Sequence, residues 1–131
     1  MRPAALKVKA LIQEMADLCS TLDLSFVEEY RTGDDTRIDL ALFKAGRPLI
    51  AVEFERTYKW IRRRILYNAV KAYRAGFPRL LVVYPFNSDG IERSWVFAFS
   101  AKELTVDIQL THPDEALVKL PEMIRGERST G

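Results

Sequence analysis

Residues 37–56 read Arg-Ile-Asp-Leu-Ala-Leu-Phe-Lys-Ala-Gly-Arg-Pro-Leu-Ile-Ala-Val-Glu-Phe-Glu-Arg, and the fold turns on how this stretch pairs with itself. Successive side chains of a strand point to opposite faces. Ile38, Leu40 and Leu42 therefore share one face of a first strand, with Arg37, Asp39, Ala41 and Phe43 on the other. Ala45-Gly46-Arg47-Pro48 carries turn chemistry, and residues 49–55 (LIAVEFE) return as a second strand. Glu53 and Glu55 lie two apart in that strand and point to one face, with Phe54 opposite. A turn at 45–47 sets Asp39 beside Glu53 or Glu55.

Working outward, residues 24–30 are short and β-rich, and the Arg-Thr-Gly-Asp-Asp-Thr segment at 31–36 joins them to the hairpin. The three strands are expected to form an antiparallel meander. Before them, positions 4–22 place Ala4, Val8, Leu11, Ile12, Met15, Leu18, Cys19 and Leu22 on one helical stripe, with Pro3 in the first turn. After them, residues 58–75 read as a long helix ending at Gly76, with Pro78 just beyond. Its expected buried stripe is Ile61, Ile65, Leu66, Ala69, Val70, Ala72 and Tyr73. Residues 79–84 (RLLVVY) suit a strand buried on both faces. Residues 94–100 (SWVFAFS) read as a further strand, on which Trp95, Phe97 and Phe99 alternate and suit a dimer surface as well as a core. A last strand is expected near 106–110. Pro113, Asp114 and Glu115 mark a final helix running to about Ile124.

Strand, helix and strand across 49–84 require a parallel crossover, so the chain reads as α/β, a mixed sheet with helices on both faces. At 131 residues it is one domain, residues 1–125, with a polar flexible tail at 126–131. It is 48% hydrophobic and 29% charged, as a globular protein is. One cysteine, Cys19, excludes an internal disulfide, and one histidine, His112, argues against a histidine-built metal site or triad. His112 reads as a helix-start residue and Cys19 as core. No run is long enough to span a membrane, the N-terminus lacks a signal-peptide stretch, and a cytoplasmic protein is expected.

Three carboxylates converging in one hairpin repel one another and resist desolvation. A Glu-x-Glu on a strand is by itself usually a solvated face. Convergence with Asp39, at the end that leads into a basic helix, favours a divalent cation, and Mg2+ takes carboxylate oxygens with retained waters. The net charge of +2 barely favours nucleic acid, but Arg56, Lys59, Arg62, Arg63, Arg64, Lys71 and Arg74 cluster after the third strand, interleaved with Tyr58, Trp60 and Tyr67. Cations with aromatics suit phosphate contacts and base stacking.

The pattern Arg-Ile-Asp39, hairpin, Val-Glu53-Phe-Glu55, helix, buried strand resembles the core of the PD-(D/E)XK nuclease superfamily, over roughly residues 6–84. That family has a restriction-endonuclease-like αβββαβ core, with Asp on the second strand and (D/E)-x-K on the third. The resemblance implies Asp39 and Glu53 as metal ligands, the Phe54 carbonyl as another, and Glu14 as the acid many members place on the first helix. Glu14 also reads as a plain helix-surface residue. Glu55 departs from the family's Lys, and some restriction endonucleases of the superfamily carry Glu there. It would act as general base or bind a second metal. The Lys function can also have moved to the following helix, where Lys59 and Arg62 are the two candidates. Arg62 falls within the expected apolar stripe and needs an anionic partner, so a structural ion pair competes with a catalytic role.

The implied activity is Mg2+- or Mn2+-dependent hydrolysis of phosphodiester bonds, on DNA rather than RNA, with Arg37, Arg56, Arg63, Arg64 and Lys71 holding the backbone. A homodimer acting on branched DNA, as Holliday-junction resolvases of the superfamily do, is one form this takes. A catalytically inactive binding module with the same fold, and a regulatory protein whose acids pair with its own arginines, remain as alternatives.

Overall fold

A computed structural model of the protein describes residues 7–129. Helix α1 (Val8–Thr21) leads into strands β1 (Ser25–Arg31), β2 (Arg37–Lys44) and β3 (Arg47–Phe54). Helix α2 (Ile61–Arg74) crosses to β4 (Arg79–Val83), and a short helix α3 (Trp95–Phe99) followed by a π-helical turn leads to β5 (Asp107–Thr111). Helix α4 (Ala116–Ser129) closes the order. The strands form one sheet in the order β1-β2-β3-β4-β5. The first three make the expected antiparallel meander, and β4 and β5 add in parallel.

The β2–β3 turn is tighter than the sequence suggested. Ala45 and Gly46 both have positive φ, 51° and 79°, and Lys44 pairs with Arg47. Two left-handed residues make the two-residue turn whose twist suits a hairpin. Pro48, which cannot donate to a ladder, pairs with Phe43, and the register then slips so that Leu42 pairs with Ile50. Leu49 is the extra residue of a β-bulge. From there the pairs run Ala41–Ala51 and Leu40–Val52.

Alternation divides the core between two faces of the sheet. Leu40, Leu42, Ile50, Val52, Phe54, Leu81 and Val83 pack against Leu11, Met15 and Cys19 of α1 and Leu120 and Met123 of α4. Ala41, Ala51, Leu80 and Val82 pack against Ile61, Ile65, Ala69 and Ala72 of α2 and Val96 of α3. β4 is buried on both faces from Leu80 to Val83, as its unbroken apolar run requires. Burial holds the Cys19 thiol in its proton-bearing form, up to about 11, so it behaves as a small apolar side chain.

Residues 94–100 are helical rather than extended. Five apolar residues in a row satisfy either period, and here Val96 and Ser100, four apart, face inward. Trp95 and Phe99, also four apart, are exposed and stack edge to face at 5.8 Å. On α2, Tyr73 is exposed instead of buried, because the inward face runs through 61, 65, 68, 69 and 72. α4 continues to Ser129, past the end expected near Ile124. Pro3 and Ala4, and the last two residues of the tail, lie outside the described residues. No helix among the described residues is long and apolar enough to cross a membrane.

Leu81→Ala empties a fully buried position of this sheet and is expected to cost about 2–5 kcal/mol. Val118→Ala, on the exposed face of α4, should stay within about 0.5 kcal/mol. Urea unfolding of the two variants checks the contrast.

Candidate active site

The site forms where the ladder between β2 and β3 ends. The bulged register, carried one step past Leu40–Val52, sets Asp39 opposite Glu53. Side chains there take over from the backbone ladder. The Asp39 N–H donates to Glu53 Oε1 at 3.2 Å, and the Phe54 N–H donates to Asp39 Oδ2 at 2.8 Å. On the other side of β2 the register sets Glu29 opposite Asp39, and Glu29 has φ 48° and reaches Arg37 at 3.5 Å instead. Asp39 thus sits where the β2–β3 ladder ends and the β1–β2 ladder is interrupted, and grooves open on each side of it.

Glu53 and Glu55 both face α2, as their spacing requires, and α2 receives them with a polar stripe. Residues 64, 68 and 71 lie on one side of the helix at the four- and seven-residue spacing. Asn68 Nδ2 donates to Glu55 Oε2 at 2.8 Å, and Arg64 Nη1 lies 3.7 Å from Glu55 Oε1. Lys71 Nζ lies 2.7 Å from Glu53 Oε2 and donates to the Arg37 carbonyl at 2.6 Å. Glu53 is 3% exposed and Lys71 9%. Glu53 Oε2 is a buried carboxylate oxygen whose close partner is the Lys71 ammonium.

Burial pushes the Glu53 carboxyl up to about 7, the Asp39 charge adds to the rise, and Lys71 opposes both. The raised position means that burial outweighs the ion pair. A bound cation is the partner that would fix this carboxyl in its charged form. Asp39 and Glu53 suit one: each has one oxygen engaged by a backbone N–H, which leaves Asp39 Oδ1, while Glu53 Oε2 is shared with the Lys71 ammonium 2.7 Å away. Mg2+ is commonly held by one or two carboxylates and retained waters. Among the described residues no three acid, histidine or cysteine side chains stand together as a preformed metal cage, because Asn68 and Arg64 hold Glu55 on the helix side.

The groove toward α2, about 490 Å3, is walled by Asp39, Glu53, Phe54 and Glu55 and also by Arg56, Arg63 and Arg64. The three hairpin acids and three of the expected phosphate-holding arginines therefore meet in one place, whereas Glu14 is not among them. Lys71, expected on the outer basic face, is instead buried against Glu53. Arg37 is exposed and paired with Glu29, and touches the site through its carbonyl.

Lys59 and Arg62 do not reach the acids. α2 starts at Ile61 rather than Tyr58, so Lys59 precedes the helix and is engaged through its backbone: its N–H donates to Thr57 Oγ1 at 3.2 Å and its carbonyl accepts from Arg64 Nε at 3.0 Å. Arg62 is one residue past the inward-facing Ile61 and is exposed, without the buried position its place in the sequence suggested. Glu14 is exposed on α1. The groove between α1 and the sheet is walled by Glu28 and Glu29 of β1, with Asp39, Phe54 and Arg56.

Asn68 and the inward role of Lys71 were missed from the sequence. One signal was available. An Asn in the middle of an apolar stripe has no reason to be there unless a polar partner faces it, and Lys71 lies three residues on, on the same side.

The raised Glu53 carboxyl has a consequence for stability. Between its ordinary 4.5 and about 7 the folded protein keeps a proton that the unfolded chain has lost. Stability from this group is complete below 4.5 and is lost as pH rises through 7. The stability of Glu53→Gln relative to the parent should therefore rise across that window, by on the order of 3 kcal/mol. Urea unfolding in EDTA from pH 4.5 to 8 measures it, and a flat difference would mean that the carboxyl ionises normally.

Comparison with protein-family models and with curated proteins finds no match to this chain, so the roles of Asp39, Glu53 and Lys71 rest on their geometry.

Proposed function

We propose that the protein is a metal-dependent phosphodiesterase of nucleic acid, and that its αβββαβ segment is a restriction-endonuclease-like core. The observation that supports this most is Lys71 Nζ, 2.7 Å from Glu53 at the level where Asp39 stands opposite. Two carboxylates and one ammonium are the groups that the resemblance to PD-(D/E)XK nucleases calls for. Here the ammonium comes from α2 while Glu55 occupies the strand position of the family's Lys.

In this reading Asp39 and Glu53 hold Mg2+ or Mn2+. Such a cation, when bound, would supply neutralisation of phosphoryl charge. Lys71 is pinned by the Arg37 carbonyl and by Glu53, so its charge is aimed without further ordering. It orients the attacking water or the scissile phosphate. Arg56, Arg63 and Arg64 line the groove and offset the charge of the incoming backbone. Glu55 spends its oxygens on Asn68 and Arg64. Its role is then to fix those two side chains rather than to serve as base. DNA is favoured over RNA by the family resemblance.

Cleavage of labelled linear, branched and single-stranded DNA, with Mg2+, Mn2+ or EDTA, tests the proposal. Asp39→Ala and Glu53→Ala should abolish the metal-dependent product, and Lys71→Met should slow it by about 100-fold or more. Glu55→Gln, which can still bond Asn68, should keep most of the rate. Wild-type activity in Glu53→Ala would remove the site, and total loss in Glu55→Gln with normal rate in Lys71→Met would return the role to the strand position. Metal-independent binding of DNA without any cleavage would leave a binding module.

A further inference from the structure

The approach to the site carries a feature that neither the fold nor hydrolysis uses. Trp60 has φ 57° and ψ 33°, in the left-handed region. Such a conformation is a genuine outlier for a bulky side chain and is strained. Its backbone has a structural task, since its carbonyl accepts the Arg64 N–H at 2.9 Å and starts α2. That task asks nothing of an indole, and Gly would do it without strain. The side chain is 67% exposed. The Arg63 guanidinium lies over its ring at 4.7 Å.

Two turns further along α2, about 10 Å on, Tyr67 is 56% exposed and stands in the wall of the groove that holds Asp39 and Glu53. Its ring lies 5.2 Å from Lys71 Nζ. Residues 60, 63, 64, 67 and 71 therefore make one stripe in which aromatic rings and cations alternate, and which ends on the acids. The large apolar side chains exposed along it are aromatic, without an aliphatic neighbour to form a continuous apolar patch. Interleaved π-faces and positive charge are what a single nucleic-acid strand recognises, through base stacking and phosphate contact together. A duplex keeps its base faces stacked on one another and offers only grooves and phosphates.

We propose that Trp60 and Tyr67 form a stacking platform for unpaired nucleobases, so that the protein binds DNA with an unpaired strand in preference to continuous duplex. That this platform feeds a hydrolytic centre rests on the reading above, whereas the binding itself does not.

The chain has two tryptophans, so Trp95→Phe, on exposed α3, leaves Trp60 as the single indole. Titration of that variant with a single-stranded oligothymidylate, and with a blunt duplex, is done in EDTA so that no strand is cut. The expected result is quenching of Trp60 emission by the single strand, with at least tenfold weaker binding of the duplex. Fluorescence anisotropy of labelled oligonucleotide then compares Trp60→Ala and Trp60→Phe in the natural background. The Ala variant should bind single strand about 5- to 150-fold more weakly, the loss of one stacked base. Trp60→Phe should recover most of it, and duplex binding should not change. No quenching, equal affinity for duplex, or an Ala variant that weakens both DNA forms alike would overturn the platform. Quenching and single-strand preference without cleavage in Mg2+ or Mn2+ would uphold it while removing the hydrolytic reading.

Discussion

Everything at the candidate site depends on one extra residue in β3. With the turn at Ala45–Gly46 and Lys44 paired to Arg47, an unbroken ladder would bring Asp39 opposite Val52. Glu53 would then stand against Ile38 and point away from Asp39, since cross-strand partners share a face. The bulge at Leu49 shifts the later pairs by one, so that Leu40 meets Val52 and Asp39 meets Glu53. Pro48 gives a local reason for the slip, because it removes a ladder N–H beside the turn. A sequence choice nine residues from Asp39 thereby decides which face of the sheet carries the acids, and hence which helix must answer them.

The helix that answers is α2, and its answer is asymmetric. Glu55 receives an amide and a distant guanidinium near the rim, while Glu53 receives a buried ammonium. Buried ion pairs are weak sources of stability, because desolvating two charges offsets most of their attraction. The raised Glu53 carboxyl expresses that imbalance: the lysine does not fully compensate for burial. An apolar pair of similar volume would fill this part of the core at least as well. The pair therefore calls for a reason other than the fold, and its place in the wall of the groove beside Asp39 supplies one.

The fold was legible in the sequence wherever one period was clean. β2, β3, β4 and α2 follow from alternation, from an unbroken apolar run ended by Gly and Pro, and from a 3.6-residue stripe. Residues 94–100 were not legible, because Trp-Val-Phe-Ala-Phe satisfies both periods and the decision lies with the space beside α2. For the site, the acids were found by the cost of placing them in a strand, and their convergence needed only the hairpin. The register was open by one residue, which is the bulge. A lysine among arginines reads as solvated, which hides Lys71, and a stripe drawn to include Leu66 and Tyr73 turns Arg62 inward, whereas Tyr73 is exposed. Position within the stripe, rather than charge, distinguishes the two: Lys71 stands beside Ala72 and Asn68 on the inward face, and Arg62 does not.

The same helix carries opposite surfaces to opposite purposes. The centre of its inward face is aliphatic, Ile61, Ile65, Ala69 and Ala72 against Ala41 and Ala51, and small strand residues let it approach the sheet closely. Close approach is what lets side chains at its flank, Asn68 and Lys71, meet carboxylates that rise from β3. Bulkier residues at 41 and 51 would lift α2 and leave Glu53 buried with no cation in reach, at a cost far above that of the lost packing. The two alanines at the centre of the sheet thus belong to the chemistry of the site as much as to the core, although neither touches it.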